Sequence, residues 1–163
     1  MILLDLSQIL YSTIHAGLRD TTEIDEDFLR HITLNTIRSN NNKFRNEYGE
    51  LILATDAKNN WRKKVFPYYK ANRAKTRAKQ ILNWPKIFEF MDTIRTELKE
   101  YFAYPVIHVD GAEGDDIIAT LAAIRGTTKL LIISADKDFA QLLGPMSNNM
   151  IPYANAGLRT PKT

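Results

Sequence analysis

Four short runs of aliphatic and β-branched residues divide this chain, and each closes on an aspartate: ILLD at Asp5, LILATD at Asp56, VIHVD at Asp110 and LLIISAD at Asp136. Within each run the hydrophobicity is continuous rather than alternating, as strands covered on both faces require. Stretches with helical spacing lie between them. SQILYSTI comes first, and DEDFLRHITLNTIRSNNNKF then opens on acids that suit a helix N-terminus. NWPKIFEFMDTIRTELKEYF has Asn83 or Trp84 as cap, Pro85 in its first turn, and Ile87, Phe90, Ile94 and Leu98 at helical intervals. GDDIIATLAAI follows the third run and KDFAQLL the fourth. This alternation predicts an α/β domain with a mostly parallel sheet. The tail offers one short strand and then polar chain. A length of 163 residues, 44% hydrophobic, suits one domain with its own core.

Composition removes several classes of function. There is no cysteine, so disulfides, thiolate metal sites and cysteine nucleophiles are excluded. No apolar run approaches the ~20 residues of a membrane span. The N-terminal MILLDLSQIL carries an acid at position 5 and no basic leader, so a strand is expected there rather than a signal peptide, and the setting is expected to be cytoplasmic.

The acids invite two readings. Taken singly, Asp5, Asp56 or Asp110 is an ordinary cap or turn residue where a strand hands over to a helix. Asp115 and Asp116 suit a first helical turn for the same reason. As a set they conflict with one another. A parallel sheet delivers all its strand ends to one edge, so Asp5, Asp56 and Asp136 meet there, with the Glu113–Asp116 helix start beside them. Two unit charges about 4 Å apart repel by roughly 4 kcal/mol at an effective dielectric of 20. A divalent cation removes that conflict, and an all-carboxylate set selects Mg²⁺, with Mn²⁺ as substitute, over zinc. In Glu113-x-Asp115-Asp116 the spacing puts Glu113 and Asp116 on one helix face, with Asp115 to one side. Asp136 and Asp138 are expected to straddle a strand end and share a face. Asp110, beside Gly111, is left as a turn residue.

Charge is segregated as well. From residue 57 to 88 there is no acid but ten basic residues, leaving 12 basic and 19 acidic residues elsewhere. Such a segment is ordinarily a solvated face, but here it has no acids to pair with, and Trp61, Phe66, Tyr68 and Tyr69 are interleaved with the cations. Lys70, Arg73 and Arg77 fall on one helical face, opposite Lys75 and Lys79, a stripe suited to tracking phosphates. Residues 57–83, broken by Pro67, read as an insertion in the α/β unit. Trp61 is open to either packing or contact with a ligand, and Tyr68 and Tyr69 to either base stacking or anchoring.

The stretches LLDLSQ, ATDAKNNWRKKVFPYYKANR, GAEGDDIIATLA and IISADKDFAQLL together resemble successive motifs of the 5′-nuclease family, the flap endonucleases and 5′→3′ exonucleases. The resemblance spans nearly the whole chain, and Glu-x-Asp-Asp and Ser-x-Asp-Lys-Asp are its most specific pieces. It implies a PIN-like (Rossmann-like) three-layer catalytic domain over residues 1–163, with residues 57–83 as a basic helical arch. It also implies two Mg²⁺ ions and hydrolysis of phosphodiesters in replication or repair. Asp5, Asp56, Glu113, Asp115, Asp116, Asp136 and Asp138 fall on the family's metal-binding carboxylates. Lys70 and Arg73 fall on basic residues that act with Asp136 at the scissile phosphate. Arg62, Lys63, Lys64, Tyr68, Tyr69 and Arg77 join them as nucleic-acid contacts. The implied substrate is DNA or an RNA–DNA hybrid with a 5′ single-stranded end or flap, with replication proteins as further partners. Family members continue into a helix–turn–helix-like duplex-binding region, and no acid follows Asp138 here. The second metal is therefore expected to rest on Asp136 and Asp138, in a fragment or a nuclease completed by a second polypeptide. Two rival readings share these residues: a nucleic-acid-binding module without turnover, and a PIN-type ribonuclease.

Overall fold

The computed structural model describes residues 1–18, 23–142 and 152–153. Strands β1 (Ile2–Asp5), β2 (Leu51–Thr55), β3 (Val106–His108), β4 (Leu131–Ile133) and β5 (Pro152–Tyr153) form one sheet in the order β3-β2-β1-β4-β5, with every pairing parallel. The short strand expected in the tail is β5; the rest of the tail lies outside the described residues.

Helices cover both faces, which is why the strands are apolar throughout. On one side, α1 (Leu6–Gly17), α2 (Glu26–Tyr48) and α5 (Trp84–Tyr101) bury Ile9, Ile14, Leu29, Ile37, Ile87 and Ile94 against Ile2, Leu4, Leu53 and Ile133. On the other, α6 (Gly114–Ile124) and a 3-10 helix (Lys137–Leu142) bury Ile117, Ile118 and Phe139 against Leu3, Ala54 and Ile132. Alternate residues of each strand thus feed two separate cores, giving a three-layer α/β domain. Side-chain oxygens of Asp5, Asp25 and Asn83 accept the free N–H groups of Gln8, Phe28 and Lys86, capping α1, α2 and α5. Asn83, not Trp84, is the cap of α5.

The strand order places the ligand site. From β1 the chain moves outward through β2 and β3, then returns to add β4 on the opposite side of β1. The crevice at the C-terminal ends of β1 and β4 is therefore the topological switch point, where open α/β sheets bind ligands. Asp5 closes β1, Asp56 follows β2, and the Ser134–Asp136 turn follows β4. The basic insertion forms two short helices, α3 (Trp61–Val65) and α4 (Ala71–Ala78), neither of which buries any residue. It lies over this rim and is held by polar contacts rather than by a core of its own. No helix among the described residues is long and apolar enough to cross a membrane.

Candidate active site

A hollow of about 240 Å³ opens at the switch point, with Asp5, Asp56, Glu113, Asp115 and Asp136 in its wall and Lys70 and Arg73 above them. Five of the seven acids singled out in the sequence are brought together. Asp110 sits in a turn with its side chain fully exposed, 3.6 Å from His108 Nε2.

Asp116 and Asp138 are placed elsewhere, each for a local reason. Asp116 lies one residue further round α6 than Asp115, and its carboxylate turns toward the insertion. Its Oδ1 and Oδ2 accept Arg62 Nη2 and Nη1 at 2.7 and 2.8 Å, and Oδ2 also accepts the Trp61 indole N–H at 3.2 Å and the Glu113 amide at 2.9 Å. Glu113 and Asp116 do share a helix face as expected, but it is Asp115 that joins Glu113 at the hollow. Asp138 corrects a second expectation. Strand β4 ends at Ile133, so Asp136 and Asp138 do not straddle a strand end on one face. Asp138 stands in the 3-10 helix, and its amide donates to Asp136 Oδ1 at 2.9 Å, closing a tight turn.

Electrostatics distinguishes the five acids. Asp5 is 7% exposed, and burial, followed by the charges of Asp56 and Asp115, pushes its carboxyl up to about 6 against hydrogen bonds from Gln8 and Ser134 that lower it. Burial first, then Asp136 and Asp56, raises Asp115. Glu113 goes the other way: burial pushes it up, but hydrogen bonds from Lys70 and Tyr69 outweigh that and hold it below the usual carboxylate range. Lys70 Nζ reaches Glu113 Oε1 at 2.6 Å, while the Tyr69 hydroxyl and Arg62 Nη1 reach Oε2 at 2.8 and 3.1 Å. The site thus has a cation-bound side at Glu113 and an uncompensated anionic side at Asp5 and Asp115.

A divalent cation fits that uncompensated side. The donors are hard oxygens, and the burial and neighbouring negative charge that together raise Asp5 and Asp115 are what a bound ion would offset. Among the described residues, no three of these side chains approach closely enough to form a ready-made coordination shell; they line the hollow at its edges. The charge conflict has a measurable consequence. Asp5 holds its proton more tightly folded than unfolded, so its contribution to stability is complete below pH ~3.8 and is lost as pH rises through about 6. Asp5→Asn should therefore stabilise the ion-free protein at pH 7, by at most ~3 kcal/mol, with no gain at pH 3.5. Urea unfolding midpoints of the two proteins at both pH values measure it; equal midpoints at pH 7 would contradict the cost assigned to burying this charge beside Asp56 and Asp115.

Sequence reasoning did not pick out Gln8, the close approach at Gly114 or the backbone conformation of Lys70, all of which shape the site. Gln8, one turn into α1, accepts the Ser134 hydroxyl at 2.5 Å and the Ala135 amide at 2.6 Å, tying the turn that carries Asp136 to the helix that follows Asp5. Gly114 lies at a close approach: its amide donates to Asp56 Oδ1 at 2.6 Å, and an added Cβ would sit 3.2 Å from that oxygen, so the carboxylate would have to give by a few tenths of an ångström. Lys70 precedes α4 with left-handed φ 55° and ψ 20°, a conformation costing a non-glycine residue about 1 kcal/mol. So α4 begins at Ala71, and Lys70 is its cap rather than a member of its basic face. Only the glycine within Glu-x-Asp-Asp was a visible sequence signal.

Residues 1–159 match the family model described as the 5′-3′ exonuclease, N-terminal resolvase-like domain. The chain belongs to this 5′-3′ exonuclease family. Ribonuclease H of Enterobacteria phage T4 is 39% identical over 146 residues, covering 86% of this chain and 48% of that protein. A 5′-3′ exonuclease of Buchnera aphidicola is 28% identical over 131 residues, covering 79% of this chain and 42% of that protein. The chain spans about half the length of the curated relatives it matches. T5 5′-exonuclease with divalent zinc bound shares the fold at TM-score 0.68 and 19% identity, over 92% of this chain and 53% of that one. The T5 D15 flap endonuclease, solved as a pseudo-enzyme-product complex with DNA and metal ions, gives TM-score 0.68 and 18% identity over 91% of this chain and 52% of that one. This 5′-3′ exonuclease domain therefore has the PIN-like α/β fold, with its carboxylate hollow at the sheet's switch point.

Proposed function

We propose that the chain is the catalytic portion of a Mg²⁺-dependent, structure-specific 5′ nuclease, a flap endonuclease or 5′→3′ exonuclease of the kind that removes primers and flaps. The observation that carries this reading is the hollow itself: five carboxylates at one rim, beneath Lys70 and Arg73. Asp5, Asp56, Glu113, Asp115 and Asp136 would hold divalent ions, which supply polarisation of a phosphodiester and activation of water. Asp138 and Asp116 would support from outside the hollow, through the Asp136 turn and the Arg62 clamp. Lys70 and Arg73 orient the phosphate and stabilise the charge that develops on its oxygens. Tyr69 holds Glu113, and Arg62, stacked 4.8 Å from the Trp61 ring and 5.7 Å from that of Tyr69, ties the base of the insertion to α6. Exposed Lys63, Lys64 and Tyr68 extend the basic, aromatic surface along which a single strand would run, to be joined by Arg77.

Labelled flap DNA, single-stranded RNA and RNA–DNA hybrid, each incubated with Mg²⁺ and with chelator, form the decisive panel. Metal-dependent cutting of the flap or hybrid near the 5′ end is expected. Cutting of single-stranded RNA alone would move the chain to the PIN-type ribonucleases. A second reading, binding without turnover, is favoured by Asp138 lying outside the hollow; retention of the flap without cutting, even in saturating Mn²⁺, would establish it. Binding should weaken with salt in either case. Replacing Lys63 and Lys64 by Gln should reduce the slope of log affinity against log salt by roughly 0.7 per charge on a single strand. An unchanged slope would remove both lysines from the path.

A further inference from the structure

Gln8 stands three residues after Asp5, the cap of α1, so the helix opens on Asp-x-x-Gln. At that position a glutamine ordinarily reaches back to the backbone N–H of the cap. Here Asp5 is also the last residue of β1, in register with Ala54 of β2, and the Gln8 side chain crosses instead to the turn after β4. Its Oε1 accepts the Ser134 hydroxyl at 2.5 Å and the Ala135 amide at 2.6 Å, donors that lie 126 and 127 positions further on. A backbone amide can only donate, so the carboxamide atom facing Ala135 is the oxygen. The Gln8 amide meanwhile donates to Asp5 Oδ1 at 3.1 Å. One residue thus engages both acid-bearing segments. Its backbone holds the carboxylate that closes β1, and its side chain holds the turn that presents Asp136.

Buried Ser134 shows what this contact decides. Its hydroxyl has one proton and two acceptors in reach, Gln8 Oε1 at 2.5 Å and Asp5 Oδ2 at 3.2 Å. The shorter bond holds the proton, and the longer contact lies beyond the ~2.5–3.0 Å of a good hydroxyl bond. Asp5 Oδ2 therefore keeps most of its capacity to bind something else. The Asp136 amide donates to the same Ser134 oxygen at 3.1 Å, so a hydroxyl fixed by Gln8 fixes the backbone at Asp136 in turn. We infer that Gln8 is a positioning residue for divalent-ion binding in the acid hollow: it holds Asp136 at the rim and keeps the Ser134 proton from occupying Asp5. The inference rests on the ion-binding reading above and brings a neutral side chain into it. Without this acceptor the Ser134 proton passes to Asp5 Oδ2, and the exposed Ala135 amide turns to water and releases the turn. Gln8 also lines a smaller space of about 180 Å³ beside α1 and α2, so a replacement must match its length to keep the two spaces apart.

The test titrates Mn²⁺ into the ion-free 163-residue chain and reads the free ion by its electron paramagnetic resonance signal, with no turnover involved. Gln8→Met keeps the length and removes the acceptor. It should weaken Mn²⁺ binding by about tenfold to a hundredfold, the usual effect of losing a group that orients a ligand. Gln8→Glu keeps an acceptor oxygen for Ser134 and Ala135 and should bind Mn²⁺ at least as tightly as the unsubstituted protein. If Gln8→Met does not fold, Gln8→Asn, one methylene too short to reach Ser134, makes the same comparison. A residue that only packs would lower the urea midpoint in chelator and leave ion affinity alone. Unchanged affinity in Gln8→Met, or equal weakening in Gln8→Glu, would overturn the inference and leave the nuclease reading standing. Absence of Mn²⁺ binding by the unsubstituted protein would overturn both.

Discussion

Asp115→Asn is expected to lower metal-dependent cleavage by about a thousandfold, the several kcal/mol that a carboxylate ligand set supplies, and to make the ion-free protein more stable. The two effects share one cause. Asp115 opens α6 at the hollow, where burial, Asp136 and Asp56 raise its pKa. The folded state therefore favours its protonated form. Its stabilising contribution is present at low pH and is lost as pH rises through the raised value, leaving an electrostatic penalty at neutrality. Asparagine keeps the shape and removes the charge. A purely structural acid would behave in the opposite way, since its neutralisation would cost stability and spare cleavage. Single-turnover cleavage and thermal unfolding in chelator, on the same preparation, separate these cases. Undiminished cleavage, or a less stable variant, would sink the assignment.

Lys70→Ala is expected to slow single-turnover cleavage by about a hundredfold to a thousandfold while weakening substrate binding less than tenfold. Lys70 is placed with unusual specificity. It sits in a left-handed conformation at the start of α4, its ammonium 2.6 Å from Glu113 Oε1 and 4.9 Å from the Tyr69 ring. One contact of a charge-tracking surface would be worth little, because many phosphates share the binding energy. A cation held at the reacting phosphate acts where charge develops, so its loss appears in the rate. Lys70→Arg tests the geometry further: a planar guanidinium at this position cannot reproduce the single short contact to Glu113, and only partial rescue is expected. Equal losses in rate and affinity for Lys70→Ala would return Lys70 to the general basic surface.

The parts of this molecule legible in its sequence are those set by periodicity. Unbroken apolar runs required strands covered on both sides, and the two cores fed by Leu3 and Leu4 from adjacent positions of β1 meet that requirement. Convergence of Asp5, Asp56 and Asp136 followed from parallel strands alone. Capping does not keep Asp5 from the hollow: it caps α1 through Oδ1 while it lines that space. The spacing of Asp136 and Asp138 misled because pattern does not mark the residue at which a strand stops; Ser134, bonded to Gln8, turns the chain before the alternation reaches Asp136. Arg62 was legible as a charge but not as a partner. Its bidentate hold on Asp116 depends on where a 57–83 insertion with no buried helix residue comes to rest, and polar contacts across 54 positions leave no local signal.

Paramagnetic Mn²⁺ reports whether a divalent ion binds in the hollow at the switch point. Backbone amide signals recorded during a titration report which residues the ion approaches, without reference to turnover. Signals of Gly114, Asp115, Ala135 and Asp136 should broaden first, recover when excess Mg²⁺ is added, and stay sharp in Asp115→Asn. Broadening centred instead on the acidic face of α5 at Glu89, Glu97 and Glu100, or identical in the two proteins, would contradict it.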